Sequence, residues 1–136
     1  MLMMGQFQGK YTAVSAPVVL IVDDEPGLLR LFAGLIERLE CSAIPAADGA
    51  EALDILDHDT PDLLILDLAM PEISGYDVLH YVRSVRRLDS MKVMILTARP
   101  NMVPEVEALG IDCWVSKPVT PKEFLEIVGD VLSDNY

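Results

Sequence analysis

Three aspartates, a threonine and a lysine sit at the ends of short apolar runs. Asp23 and Asp24 follow Val18–Val22, Asp67 follows Leu63–Leu66, Thr97 follows 93–96, and Lys117 comes just after 113–115. Carboxylates gathered within about 4 Å repel by roughly 1 to 4 kcal/mol per pair, for effective dielectrics of 80 to 20. A metal, raised pKa values or a neighbouring ammonium must offset that repulsion. Mg²⁺ suits such a set, because it takes oxygen ligands and is usually held by one or two carboxylates with waters and phosphate oxygens. No clustered nitrogen and sulfur ligands are present for zinc. A carboxylate beside Mg²⁺ can attack phosphorus and form an acyl phosphate, which makes Asp67 a candidate phosphoacceptor. The transfer needs in-line placement and neutralised equatorial oxygens; Lys117 offers a cation and Thr97 a hydroxyl donor.

The chain has 136 residues, 51% of them hydrophobic, which is the size of one domain with one core. A formal net charge of −12 argues against nucleic-acid binding, which demands clustered Lys and Arg. The one basic cluster, Arg83, Arg86, Arg87 and Lys92, reads as the solvated end of a helix. The longest apolar runs, 16–22 and 63–66, are far shorter than a bilayer span of about 20 residues, so no membrane partner is expected. Cys41 and Cys113 lack metal-ligand or disulfide-framework spacing and read as buried or half-buried thiols in a reducing cytoplasm. Residues 1–16 lack the charged start, sustained apolar stretch and cleavage site of a secretory leader. They read as a flexible tail before a single domain over 17–136.

The elements that must carry these polar residues alternate strictly. Val18–Val22, Leu63–Leu66 and 93–96 are continuous apolar runs, as strands covered on both faces require. Ser42–Ala46 is a weaker strand and 113–115 a fifth. Between them fall helical patterns: Leu28, Phe32, Leu35, Ile36 and Leu39 after Pro26; Ala52, Leu53, Ile55 and Leu56 after Asp48 and Gly49; Val78, Leu79, Val82 and Val85 over 76–87. A short helix is expected over 104–109 before Gly110. A last one begins at Pro121 and places Phe124, Ile127, Val128 and Val131 inward. Five strands alternating with five helices imply an α/β fold, a parallel sheet with helices on both faces. All five polar residues then lie on one edge. With the doubly wound order 2-1-3-4-5, the ligand crevice opens between strands one and three, which carry the three aspartates.

At these residues the sequence resembles the receiver domain of two-component response regulators over about 17–133. The motifs are Val-Asp-Asp-Glu at 22–25, Leu-Asp-Leu-Ala-Met-Pro at 66–71 with Gly75, Leu-Thr-Ala at 96–98, and Ser-Lys-Pro at 116–118. The resemblance implies a flavodoxin-like receiver fold in which Asp67 accepts phosphate from a phosphohistidine on a kinase or histidine phosphotransfer protein. It further implies that Asp24, Asp67 and the Ala69 backbone carbonyl bind Mg²⁺ directly, with Asp23 acting through water. Lys117, Thr97 and the Ala98 backbone N–H would hold the phosphoryl group. Lys117-Pro118 would be a cis peptide, and Thr97 with Trp114 would form the switch pair.

The chain departs from the family in places. Thr97 and Trp114 are closer together than is usual, and Pro100 and Pro104 disturb the fourth helix, which is expected to be short or irregular. Trp114 stands where the family usually has Tyr or Phe, and Val119 where an aromatic is common. Three functions compete. The first is a cytoplasmic phosphorylation-dependent module that binds a downstream protein through the helix 4–strand 5–helix 5 face, with a homodimer as a further candidate partner. The second is a degenerate receiver that serves as a phosphorylation-independent scaffold. The third is an aspartyl-phosphate phosphatase, against which Ala69 counts, since that chemistry commonly places an acid there. Slow self-dephosphorylation at most is expected, not enzymatic turnover.

Overall fold

The computed structural model describes residues 16–133; apart from Ala16, the tail expected over 1–16 lies outside them. Five strands form one parallel sheet in the order β2-β1-β3-β4-β5. They are β1 (Val18–Val22), β2 (Ser42–Ala46), β3 (Leu63–Leu66), β4 (Lys92–Thr97) and β5 (Cys113–Ser116), as the apolar runs imply. The central strands β1, β3 and β4 are buried on both faces almost throughout, which is why their sequences do not alternate. The edge strand β5 does alternate: Cys113 and Val115 are half-buried, whereas Trp114 and Ser116 are exposed.

The five α-helices are α1 (Pro26–Arg38), α2 (Gly49–His58), α3 (Gly75–Ser84), α4 (Val103–Glu107) and α5 (Pro121–Leu132). On one face of the sheet α1 and α5 bury Leu29, Phe32, Leu35, Ile36, Phe124, Val128 and Val131. Phe32 and Phe124 stack there with centroids 4.7 Å apart. On the other face α2, α3 and α4 bury Ala52, Leu56, Val78, Leu79, Val82, Val103 and Val106. Two apolar layers thus enclose the sheet, and a crossover connection must join each parallel pair. Among the described residues no helix is long and apolar enough to cross a membrane.

Three local readings change. The helix expected over 76–87 ends at Ser84; Val85 is extended and half-buried, and a 3₁₀ turn, Arg86–Leu88, follows. The apolar spacing runs on because a 3₁₀ turn also repeats every three residues, and it buries Leu88 completely. Second, the basic cluster is not merely a solvated helix end. Arg83 donates to the Gly110 carbonyl through Nε (3.2 Å) and Nη2 (2.7 Å). Arg87 donates to the Asp59 carbonyl (3.1 Å), the Thr60 hydroxyl (3.0 Å) and the Leu56 carbonyl, and Lys92 donates to the Val131 carbonyl at 2.8 Å. Arg87 and Lys92 thereby satisfy carbonyls at the ends of α2 and α5 that lack helical donors, a use of cations that charge patterning does not reveal. Third, the fourth helix is short as expected but begins earlier, with a 3₁₀ turn over Pro100–Met102 leading into five α-helical residues.

Candidate functional site

The crevice follows from sheet order. Asp23 and Asp24 leave β1, Asp67 leaves the adjacent β3, and the three carboxylates each place an oxygen within 4.8 Å of the others. Asp23 is 3% exposed and Asp67 6%, whereas Asp24 faces solvent. Lys117, at the end of β5, reaches across the sheet edge. Its Nζ lies 2.7 Å from Asp23 Oδ2 and 3.6 Å from Asp67 Oδ2. At that separation the carboxylates repel by about 1 to 3.5 kcal/mol per pair, and the ammonium is the protein's own offset.

The acids are held differently. Asp23 Oδ1 accepts the Glu25 N–H at 2.9 Å and Oδ2 accepts from Lys117, so both of its oxygens are engaged. Asp67 Oδ1 accepts the Ala69 N–H at 3.3 Å. Asp24 has no partner among the described residues and is left to the crevice mouth. Burial pushes the Asp67 carboxyl above the usual carboxylate range; Lys117 opposes this, and Asp23 and Asp24 add to it. The donor set is all oxygen and carries excess negative charge. In an octahedron of ligands at about 2.1 Å, neighbouring oxygens lie roughly 3 Å apart and opposite ones roughly 4.2 Å, close to the spread of these carboxylates. The residues present therefore fit Mg²⁺.

Thr97 is fully buried at the end of β4, and the Lys117 N–H donates to its carbonyl at 2.8 Å. Its hydroxyl oxygen accepts the Arg99 N–H at 3.0 Å, and among the described residues it makes no bond to the three carboxylates. Ala98 is exposed beside it. Together with Glu25, Leu28, Leu31, Phe32, Lys117, Pro118 and Val119 it lines a groove of about 340 Å³ next to the crevice. Lys117-Pro118 is cis. Trp114 is 43% exposed on β5, where it lies in register with Ile95.

The β3–α3 loop is built around Gly75. A Cβ there would lie 2.3 Å from the Asp67 carbonyl oxygen and 2.7 Å from Leu68 Cα, a clash no side chain could relieve. Gly75 and Met70 both donate N–H to the Leu68 carbonyl, which curls the segment carrying Ala69 back over the strand end. Ser74 and Asp77 then form a reciprocal capping box that starts α3, and Thr120 with Glu123 does the same for α5. Both boxes were legible as Ser-x-x-Asp and Thr-x-x-Glu, yet neither was identified from the sequence.

Residues 19–129 match the family model described as response regulator receiver domain. The polar-differentiation response regulator DivK of Brucella ovis is 31% identical over 118 residues, covering 85% of this chain and 96% of that protein. The response regulator Rre1 of Synechocystis is 36% identical over 118 residues, 85% of this chain but 51% of that protein. The chain spans about half the length of several curated relatives it matches. Among solved structures, the chemotaxis protein CheY4 of Vibrio cholerae aligns with a TM-score of 0.80 at 27% identity, covering 86% of this chain and 99% of that one.

Proposed function

The chain belongs to the response-regulator receiver family of two-component signalling, and from that footing we propose that Asp67 is its phosphoacceptor. The observation that carries this reading is the meeting of Asp23, Asp24, Asp67 and Lys117 at one sheet edge. An Asp67 oxygen attacks the phosphorus of a phosphohistidine on a kinase or phosphotransfer protein. The P–N bond breaks, its electron pair returns to the imidazole, and that nitrogen takes a proton. Bound Mg²⁺ would neutralise phosphoryl oxygens during the transfer. Asp24, Asp67 and the Ala69 carbonyl would hold the ion directly and Asp23 through water, in keeping with the two occupied oxygens of Asp23. Lys117, already aimed at Asp67, pairs with the transferred group, and the Ala98 N–H supports it. Ala69 offers no acid or base two residues beyond Asp67, so self-dephosphorylation is slow.

The added charge draws the Thr97 hydroxyl from the Arg99 N–H toward the phosphoryl group. That movement favours one of two packings of the α4–β5–α5 face, where a downstream protein or a second copy binds. The test is intact mass after incubation with acetyl phosphate or a phosphorylated histidine kinase. One phosphoryl adduct is expected with Mg²⁺, and none with chelator or in Asp67→Asn; no adduct from either donor would reject the reading. A beryllofluoride mimic should also change Trp114 fluorescence. The short α4 and the 3₁₀ turn before it favour a second reading, a scaffold that binds without phosphorylation. Unchanged partner binding by Asp67→Asn would select it.

A further inference from the structure

The segment from the end of β2 to the start of α2 contributes no side chain to the acidic crevice, yet it touches both walls of it. On one side the Asp23 N–H donates to the Ala46 carbonyl at 3.2 Å. On the other, Gly49 at the start of α2 is buried against Ile73 of the β3–α3 loop. A Cβ on Gly49 would lie 2.4 Å from the Ile73 carbonyl oxygen, 2.6 Å from Cγ2 and 2.7 Å from Cβ, all inside the 3.0 Å that real Cβ contacts respect. The turn itself is braced. Asp48 Oδ1 accepts the Glu51 N–H at 2.8 Å, and Glu51 Oε1 accepts the Ala47 N–H at 2.6 Å. Next to Ile73, Glu72 is held at φ 64°, a left-handed backbone that a non-glycine residue keeps only where its surroundings over-determine it. Beyond it, Gly75 packs on the Asp67 carbonyl.

We propose that Gly49 is a positioning residue for the metal-binding loop, its missing side chain letting α2 seat against Ile73 and set the path of residues 68–74, including the Ala69 carbonyl. This rests on the Mg²⁺ reading given above. A methyl group at position 49 meets backbone as well as side chain, so the loop must move, and the ligand atoms on it move too. Outer-shell supports of metal ligands typically change affinity by about 10- to 100-fold.

The experiment is an NMR titration of metal-free protein with MgCl₂, comparing the wild-type chain, Gly49→Ala and Gly129→Ala. Position 129 has open space for a Cβ. Gly49→Ala should bind Mg²⁺ about tenfold more weakly. Before any metal is added, its amide shifts should differ over 68–75 and stay close to wild type in β4. Gly129→Ala should match wild type in both respects. A folded Gly49→Ala with wild-type affinity and wild-type loop shifts overturns the proposal. If Gly49→Ala does not fold, Ile73→Ala removes the seat without adding bulk; weaker Mg²⁺ binding there supports the proposal, and wild-type binding overturns it. A wild-type chain that binds no Mg²⁺ rejects the metal reading itself, a different result from a wild type that binds and a variant that binds equally.

Discussion

At the scale of single residues, the crevice is a set of charges that the metal-free fold holds at a cost. Lys117 is bonded most closely to Asp23, not to Asp67, and Asp23 is nearly inaccessible to water. Lys117→Met should therefore lower stability by about 2 kcal/mol at neutral pH in urea denaturation, since it strands a buried carboxylate. Adding Asp23→Asn should restore much of the loss. Asp67 acts in the opposite sense. Its pKa is raised in the folded state, so its contribution favours folding below the unfolded value and is lost as pH rises through the folded one. Without Mg²⁺, Asp67→Asn should be more stable than wild type at neutral pH by about 1 kcal/mol, the scale of one screened carboxylate repulsion. That advantage should shrink as pH falls through the raised pKa. With saturating Mg²⁺ the order should reverse, because only wild type keeps the full ligand set.

At the scale of elements, stability resides in how helices start and stop. Glu40, just past α1, has φ 61°, and its N–H donates to the Glu37 carbonyl. A side chain in that left-handed conformation costs about 1 kcal/mol or more, so Glu40→Gly should raise the unfolding free energy in urea denaturation by about that amount without affecting phosphorylation. Ser74 caps α3 inside the loop that carries Ala69 and Gly75. Ser74→Ala should cost about 1 kcal/mol. It should also disturb the site loop, because the capping box fixes where that loop ends. Arg83 ties α3 to Gly110, ahead of β5, and Arg87 ties the 3₁₀ turn to the end of α2. These two basic residues thus brace neighbouring elements.

At the scale of the whole molecule, the two large apolar side chains most exposed among the described residues lie in different places. Leu31 is 46% exposed on α1, at the groove beside Lys117, and Trp114 is 43% exposed on β5. If Asp67 is the phosphoacceptor, as proposed above, a phosphohistidine protein must bring its imidazole to it, and the groove of Leu28, Leu31, Ala98 and Pro118 is apolar surface bordering that approach. Leu31→Glu should slow phosphotransfer from such a protein by about tenfold, the scale of one interface anchor. Labelling by acetyl phosphate, which needs no docking surface, should not change. Equal loss with both donors would place the effect on the fold. Trp114 lies on the edge strand β5, within the output face of the proposal above, so Trp114→Ala should weaken partner binding and leave labelling intact.

The residues themselves specified the alternation of strand and helix, because a strand or helix writes its period into consecutive positions. The all-apolar runs of β1, β3 and β4 and the 3.6-residue stripes of α1 and α5 needed nothing else. The acidic set was legible for the same reason: each member stands where a periodic run ends. Contacts between distant segments were decided only by tertiary structure. That Lys117 bonds Asp23 first, that Thr97 accepts the Arg99 N–H, that Arg83 and Arg87 serve remote carbonyls and that Gly49 must be bare against Ile73 all depend on where the crossover helices set one segment against another. Local spacing carries no record of such distances, which arise from packing two layers of side chains against a twisted sheet.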